Sequence, residues 1–416
     1  MRITDIEVHP IGLEYADERA YEFTHYFHID RRTIYVVHTD TGLVGLGEGH
    51  SAESEETLQG YIGTNPFDWM GDETSLGLGT AMYDLMGQAA GVPAYKLFGQ
   101  KHRSWVPVAA WTVSTHPERM ADAVKTYAER GYTWMKFHLS PFENVFDQTE
   151  AVQKVAPPGF RLHYDFTMHG TEDHMPDVLS RLQEYPVAGC FEDPLPGEDL
   201  DGYIELRSRL RLPVVLHHFP TGATYEVLRR PADIYMLGHA KIGDAVRRAG
   251  LFAADGAPFM LQNVGGAITR AMTVHMMAAF PTATFHCHND TETWKSDVVR
   301  QRLEPVNGLV RVPEKPGLGL TLDRDELERL KTLEPPGQEK WILKSSLKNG
   351  ARLYNLADPE ESIFMVRPDR RRLMPFSYDA PIQTEYWDDD GSPEYRAMFK
   401  RLQAEGAVLE GPEGPR

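Results

Sequence analysis

Arg161-Leu162-His163-Tyr164-Asp165-Phe166 reads as a short strand with His163 and Asp165 on one face and Leu162, Tyr164 and Phe166 on the other. The same form recurs on both sides. Upstream, Trp134-Met135-Lys136-Phe137-His138-Leu139 places Lys136 and His138 on one face; downstream, Gly189-Cys190-Phe191-Glu192-Asp193 pairs Cys190 with Glu192. Further strands are predicted over 106–113, 213–219, 233–239, 258–263 and 282–288. Amphipathic helical stretches lie between them, for example 118–130, 200–210 and 267–279. Such alternation implies an α/β protein with a parallel sheet, and about eight repeats predict closure into a (β/α) TIM-type barrel. An open doubly wound sheet is the alternative, weakened because no Gly-rich phosphate loop follows the first strand.

In a closed barrel the strand-to-helix loops all open at the C-terminal strand ends, where catalytic groups gather. Eight of the 17 histidines fall at or just past those ends: His138, His163, His169, His217, His218, His239, His286 and His288. Lys136, Asp165 and Glu192 share the position. A buried acid after an apolar stretch is costly unless paired or metal-bound. A hydrogen-bonded structural role is the default for any one histidine, but the gathering of imidazoles, carboxylates and an amine points to metal-assisted acid/base chemistry.

The 416 residues allow a large core and more than one unit. A net charge of −18 argues against nucleic acid and anionic membranes as partners. A small anionic metabolite stays possible, because a local cation reverses the potential in a pocket. Cys190 and Cys287 form no disulfide framework and read as buried strand residues, which fits a reducing compartment. Met1-Arg2-Ile3-Thr4-Asp5 opens no apolar signal stretch, and no apolar run is long enough to span a bilayer. The expectation is a soluble cytoplasmic protein.

Residues 3–10, 33–38 and 43–48 read as an antiparallel sheet with a turn at Asp40-Thr41-Gly42, followed by a helix over 80–90 that Gly91 stops. Residues 15–29 form a long polar and aromatic loop, of the kind that often serves as a lid. The predicted division is an α+β unit over 1–104, the barrel over 105–330, and an extension over 331–416 that packs on both.

These motifs resemble the enolase superfamily, in its mandelate racemase and muconate lactonizing enzyme-like branch. Phe191-Glu192-Asp193-Pro194-Leu195 carries the resemblance, with His163-Tyr164-Asp165 and Met135-Lys136-Phe137-His138 before it. Thr41-Gly42-Leu43-Val44-Gly45-Leu46-Gly47-Glu48, Tyr83-Asp84-Leu85-Met86-Gly87, Gly91-Val92-Pro93 and Leu97-Phe98-Gly99 match in the same order. The resemblance implies an α+β capping domain over a modified (β/α)-barrel, a divalent metal, a small-molecule carboxylate substrate and a homo-oligomer. It implies chemistry that starts by removing the proton next to a carboxylate, through an enediolate whose charge a metal stabilises.

On that resemblance Asp165 and Glu192 are two metal ligands, and the third, normally an acid, falls on His218, with His217 one residue away. The family's usual ion is Mg²⁺; an imidazole ligand tilts the choice towards Mn²⁺, Fe²⁺, Co²⁺ or Zn²⁺. His138 stands where a catalytic lysine would be and is the expected base, with Lys136 beside it to lower its proton affinity or bind the substrate carboxylate. His239 or His288 would protonate a departing hydroxyl. Gly238 and Gln262 replace the aspartate and histidine of the racemase dyad. His25, Tyr26, His28, His50 and His286 are expected to bind substrate. An acid-sugar dehydratase is the leading reading. A racemase or epimerase, a catalytically silent acid-binding paralogue and a metal-dependent hydrolase are the alternatives.

Overall fold

The computed structural model describes residues 1–26, 31–140, 142–167, 170, 173–218, 227–334, 341–357, 382–412 and 414–415. The chain begins with an antiparallel sheet of β1 (Ile3–Gly12), β2 (Arg31–Thr39) and β3 (Val44–Gly49), in that order. Between β1 and β2, helix α1 (Ala20–Tyr26) occupies part of the segment read as a loop. Seven residues are too few for a helix to hold itself, so periodicity gives no sign of it. Contacts from elsewhere hold it instead. Phe23 stacks on Trp111 with ring centroids 5.3 Å apart, and buried Glu22 accepts from Arg119 at 2.8 Å.

Helices α2 (Glu55–Tyr61) and α3 (Leu76–Ala90) complete the cap. Ser75 caps α3 by accepting from the Leu78 N–H at 3.2 Å, and Gly91 ends it at φ +67°. The glycines of β3 set how closely α3 lies on the sheet. A Cβ on Gly47 would sit 2.2 Å from the Gly77 carbonyl oxygen, and one on Gly45 2.5 Å from that of Ala81. Buried Asp84 accepts the Leu46 N–H at 3.0 Å and the Leu318 N–H at 2.8 Å, so it ties helix, sheet and the chain beyond the barrel together. Burial raises its pKa to about 6.

After β4 (Trp105–Pro107) the barrel follows as β5 (Ala110–Val113), β6 (Trp134–His138), β7 (Arg161–Asp165), β8 (Ala188–Glu192), β9 (Val214–Leu216), β10 (Ile234–Gly238) and β11 (Phe259–Gln262). Strands β5 to β11 form one seven-stranded sheet in chain order, every neighbouring pair parallel. Helices α4 (Pro117–Glu129), α5 (Val145–Val155), α6 (Met175–Leu182), α7 (Leu200–Arg209), α8 (Ile242–Asp255) and α9 (Ala267–Ala279) alternate with them.

Two expected strands differ. The one over 282–288 is reduced to parallel bridges from Cys287 to Val108 and from His288 to Gln262, which close the ring. The one over 106–113 is divided: β4 leaves the barrel to pair antiparallel with β12 (Leu309–Arg311). Pro107, which has no N–H to give a ladder, stands at the division. The result is a modified (β/α)-barrel under an α+β cap, and one continuous buried core runs from Tyr35, Val36 and Leu85 to Phe137, Tyr164 and Phe191.

After α10 (Arg324–Lys331) the chain builds a second antiparallel sheet from β13 (Ile342–Leu347), β14 (Arg352–Leu356), β15 (Ile382–Trp387), β16 (Val408–Gly411) and β17 (Gly414–Pro415), with α11 (Pro393–Glu405) beside it. Ile342, Tyr354, Leu356, Tyr395, Leu402 and Val408 form its own small core. It docks on the barrel through Thr384, whose N–H donates to Glu143 at 3.1 Å and whose hydroxyl donates to the Phe142 carbonyl at 2.6 Å. Cys190 and Cys287 are buried and free. Among the described residues no helix is long and apolar enough to cross a membrane.

The β3–α3 contact gives a stability test. Gly47→Ala forces its methyl group into the Gly77 carbonyl, and overpacking of this kind costs about 1–3 kcal/mol. Denaturant unfolding of the variant should show that loss. An unchanged midpoint and slope would mean that α3 adjusts freely.

Candidate active site

Strand register brings the polar residues of β6, β7 and β8 to one level. His138 pairs with Asp165, Asp165 with Glu192, and Lys136 with His163. The Lys136 side chain rises between the two acids, with Nζ 2.9 Å from Asp165 Oδ2 and 2.6 Å from Glu192 Oε2, all three buried. Gln262 Oε1 accepts from the same Nζ at 3.4 Å. Burial opposes the Lys136 charge, but the fields of Asp165 and Glu192 outweigh it and hold the pKa above the ordinary lysine range. Burial and Glu192 oppose ionisation of Asp165; Lys136 and His138 reverse this and hold its pKa below the usual carboxylate range. Glu192 is likewise held low against its burial, by Lys136, His163 and His217. The cluster carries two carboxylates against one ammonium, a net charge of −1.

Imidazoles surround it. His138 Nε2 lies 3.0 Å from Asp165 Oδ2, and its Nδ1 accepts from the Trp111 indole N–H at 3.0 Å. An indole only donates, so Nδ1 carries no proton and Nε2 bears it towards Asp165. In this neutral form neither nitrogen of His138 has a lone pair to spare. His163 Nε2 lies 2.7 Å from Glu192 Oε2, and its Nδ1 meets His286 Nε2 at 2.9 Å. His286 is thus a buried partner of His163, with its ring 4.6 Å from that of Trp134. His288 is buried as well: Nδ1 lies 3.3 Å from Asp290 Oδ1, and Nε2 has no hydrogen-bond partner among the described residues. Burial lowers the pKa of both His286 and His288 well below the ordinary value and raises that of Asp290 to about 6.

The end of β9 separates the two adjacent histidines. His217 turns to the cluster, with Nδ1 2.9 Å from Glu192 Oε1. His218 turns away and meets Asp193 Oδ2 at 2.5 Å, its side chain 52% exposed. The bond to Asp193 raises the His218 pKa. Asp193 takes φ +42°, rare for a residue with a side chain, and accepts the His217 N–H at 2.8 Å. Asp193, His217 and His218 bring one donor atom each within 4.8 Å of one another. A Cβ on Gly238 would lie 2.1 Å from His217 Nε2, so a side chain at this position requires the His217 ring to move.

One histidine of the cap reaches the strand ends of the barrel. His50, after β3, sets Nε2 3.2 Å from Nδ1 of His239, which follows β10. Both residues are exposed at the mouth, and partial desolvation there, with the Arg32 charge for His50 and that of His217 for His239, lowers the pKa to about 3 and about 4 respectively. His25 is engaged elsewhere: Nδ1 bonds the Tyr21 carbonyl at 2.7 Å and Nε2 bonds Asp388 at 2.8 Å, with the ring stacked on Tyr386. It fastens α1 to the C-terminal sheet and does not face the cluster. The Tyr26 side chain, His28 and His169 lie outside the described residues.

A family model described as enolase C-terminal domain-like matches residues 119–326. The chain belongs to the enolase superfamily. The match covers most of the barrel and places the chain in the mandelate racemase and muconate lactonizing enzyme-like branch of that superfamily. Among relatives, the chain is 27% identical over 348 residues to a D-xylonate dehydratase of Haloferax volcanii, which spans 70% of this chain and 83% of that protein. It is 23% identical over 268 residues to an arabinonate dehydratase of Saccharolobus solfataricus, spanning 61% and 71%. An enolase from Thermobispora bispora crystallised with magnesium and formate superposes with a TM-score of 0.66 at 25% identity, covering 80% of this chain and 92% of that one. A 2-chloromuconate cycloisomerase from Rhodococcus opacus shares the fold with a TM-score of 0.68 at 18% identity, covering 79% and 99%.

Trp111, Asp290 and Arg32 join the site without having been singled out by the sequence reading, and Asp193 and Glu48 were noted there only within motifs. For Asp290 a signal existed, the His288-x-Asp290 spacing. For Trp111 there was none, because an aromatic residue on an apolar strand reads as core.

The buried cluster predicts a stability effect. Removing one partner from a buried ion pair costs about 3–5 kcal/mol, so Lys136→Met should destabilise the chelator-treated protein by that order. Adding Glu192→Gln should recover part of the loss. A thermal melt in which Lys136→Met matches wild type would show that the acids do not depend on the ammonium.

Proposed function

We propose that this enolase-superfamily protein is an acid-sugar dehydratase that uses a divalent cation to remove the α-proton of a hydroxy carboxylate and expel the β-hydroxyl. The Asp165–Lys136–Glu192 cluster carries the reading. Its net charge of −1 suits a dication, and the sum with one bound carboxylate is then neutral. Carboxylate oxygens beside imidazole nitrogens are ordinary donors for such an ion. Asp165 and Glu192 would hold it, with His217 as the third donor in preference to His218, since His217 faces Glu192 and His218 faces Asp193. When bound, the ion supplies Lewis-acid stabilisation of the enediolate charge. The magnesium in the Thermobispora bispora relative supports Mg²⁺; the imidazole favours a later transition metal.

We assign the base to His288. Its buried Nε2 has no hydrogen-bond partner among the described residues, and Asp290 at its other nitrogen orients the ring as a carboxylate orients a catalytic histidine. The α-proton passes to Nε2, and the imidazolium then hands it to the departing hydroxyl, which leaves as water and restores neutral His288. His138, held between Trp111 and Asp165, fixes the orientation of Asp165. Lys136 keeps both acids ionised and offers its charge to the substrate carboxylate. The two dehydratases of aldonic acids among the relatives support that substrate class.

Screening aldonic acids for dehydration, with ¹H NMR of α-exchange in D₂O, tests the reading. Turnover should vanish on chelation and return with Mg²⁺ or Mn²⁺. His288→Asn should lower exchange by roughly 10²–10⁴ with metal content intact. Near wild-type exchange in that variant would return the base to His138. His217→Ala should weaken metal binding in equilibrium dialysis more than His218→Ala does; the reverse order would move the ion to the Asp193 side. Racemised α-carbons without water loss would favour the epimerase alternative.

A further inference from the structure

Arg32 lies buried on β2 and points its guanidinium along the roof of the barrel mouth. Nε donates to Glu48 Oε1 at 3.1 Å, Nη2 donates to the Val264 carbonyl at 2.8 Å, and Nη1 meets His50 Nδ1 at 2.9 Å. Glu48 in turn accepts the Gly266 N–H at 2.6 Å and both the N–H and hydroxyl of Thr269, at 3.1 and 2.9 Å, at the start of α9. The arginine is therefore held on three sides and cannot turn away from His50.

A guanidinium has donors only and keeps its proton in proteins. His50 Nδ1 must then be the acceptor, so neutral His50 carries its hydrogen on Nε2. That hydrogen points at His239 Nδ1, 3.2 Å away. His239 Nδ1 is in turn the acceptor, and its hydrogen must sit on Nε2. A single fixed donor in the cap thus decides the tautomer of a histidine on the barrel, two imidazoles away. His239 follows β10 at φ +50°, a left-handed backbone uncommon for histidine, which holds the ring at the end of the strand.

We propose that Arg32 and His50 are positioning residues that lock His239 as a neutral Nε2–H donor, which hydrogen-bonds a substrate oxygen as it gains negative charge. A neutral imidazole is well matched to this task, because it polarises an oxygen without surrendering its proton to it. The substrate group it selects is an acceptor, a hydroxyl or carboxylate oxygen. His50, expected from the sequence to touch substrate, acts instead through His239. The role assigned to His239 rests on the dehydratase reading; the tautomer chain does not.

Substitutions at His50 separate the cases. Gln at this position accepts from Arg32 through its oxygen and donates to His239 through its amide, so His50→Gln keeps the polarity. Glu can only accept, so His50→Glu should turn His239 over to the Nδ1–H form. Long-range ¹H–¹⁵N spectra of histidine-labelled full-length protein at neutral pH read the tautomer directly, with His239→Gln to assign the ring. The expected result is an Nε2–H signature for His239 in wild type and His50→Gln, and an Nδ1–H signature in His50→Glu. An Nδ1–H signature in wild type, or no change in His50→Glu, overturns the proposal whatever the protein turns over. On an accepted substrate, kcat should fall roughly 10²-fold in His50→Glu relative to His50→Gln, the order of one oriented donor to developing charge, with KM changed far less. Equal kcat in the two variants would leave the tautomer chain standing and remove His239 from the reaction. Failure of every acid sugar to react, with the NMR signatures as expected, would overturn the dehydratase reading and spare the tautomer chain.

Discussion

Two carboxylates and an ammonium buried in the barrel are stable only together. Asp165 and Glu192 stand in register on β7 and β8, and Lys136 reaches both from β6. Desolvation of each charge is repaid only when all three are in place. That condition fixes the register of three strands, because a slip of one residue would turn the acids away from the ammonium. The surrounding histidines then follow. His138, His163 and His217 each set a nitrogen against one of the acids, and each accepts its ring orientation from that contact.

The cap is tied to this centre by a second buried ion pair. Glu48 accepts three donors at the N-terminus of α9, where helix ends favour negative charge, and Arg32 compensates it at 3.1 Å. Cap and barrel thereby share a hydrogen-bond network as well as a hydrophobic core. The C-terminal sheet ties down the other side of the cap, where Asp388 holds His25 and Tyr386 stacks on it. A histidine that reads in sequence as a substrate contact serves here to fix the segment that bears it.

What was legible in the sequence is what depends on period and composition. Lys136, Asp165 and Glu192 could be set on one face because strand side chains alternate, and their burial followed from apolar neighbours. What was hidden depends on angles. His217 and His218 follow a strand of three residues, and adjacent Asp193 has a left-handed backbone, so facing cannot be counted from the strand start. The partner of His138 is Trp111, 27 residues earlier and on the neighbouring strand. The sheet of β13 to β17 escaped because its strands are short and their pairing is set by contacts distant in sequence.

The arrangement of fixed protons bears on the choice between elimination and racemisation. A racemase that works in both directions needs two groups that can each serve as base. His239 is poorly placed for that, because the guanidinium of Arg32 cannot accept a proton and so holds the hydrogens of both His50 and His239 on Nε2, leaving His239 as a donor. His288 is biased the other way, since Asp290 takes the hydrogen of Nδ1 and leaves Nε2 to accept. One donor and one acceptor, each fixed by a neighbour of opposite character, suit a reaction that runs from α-proton removal to hydroxyl loss. They suit a symmetric exchange between two faces of a carbon much less well, and this asymmetry favours the dehydratase.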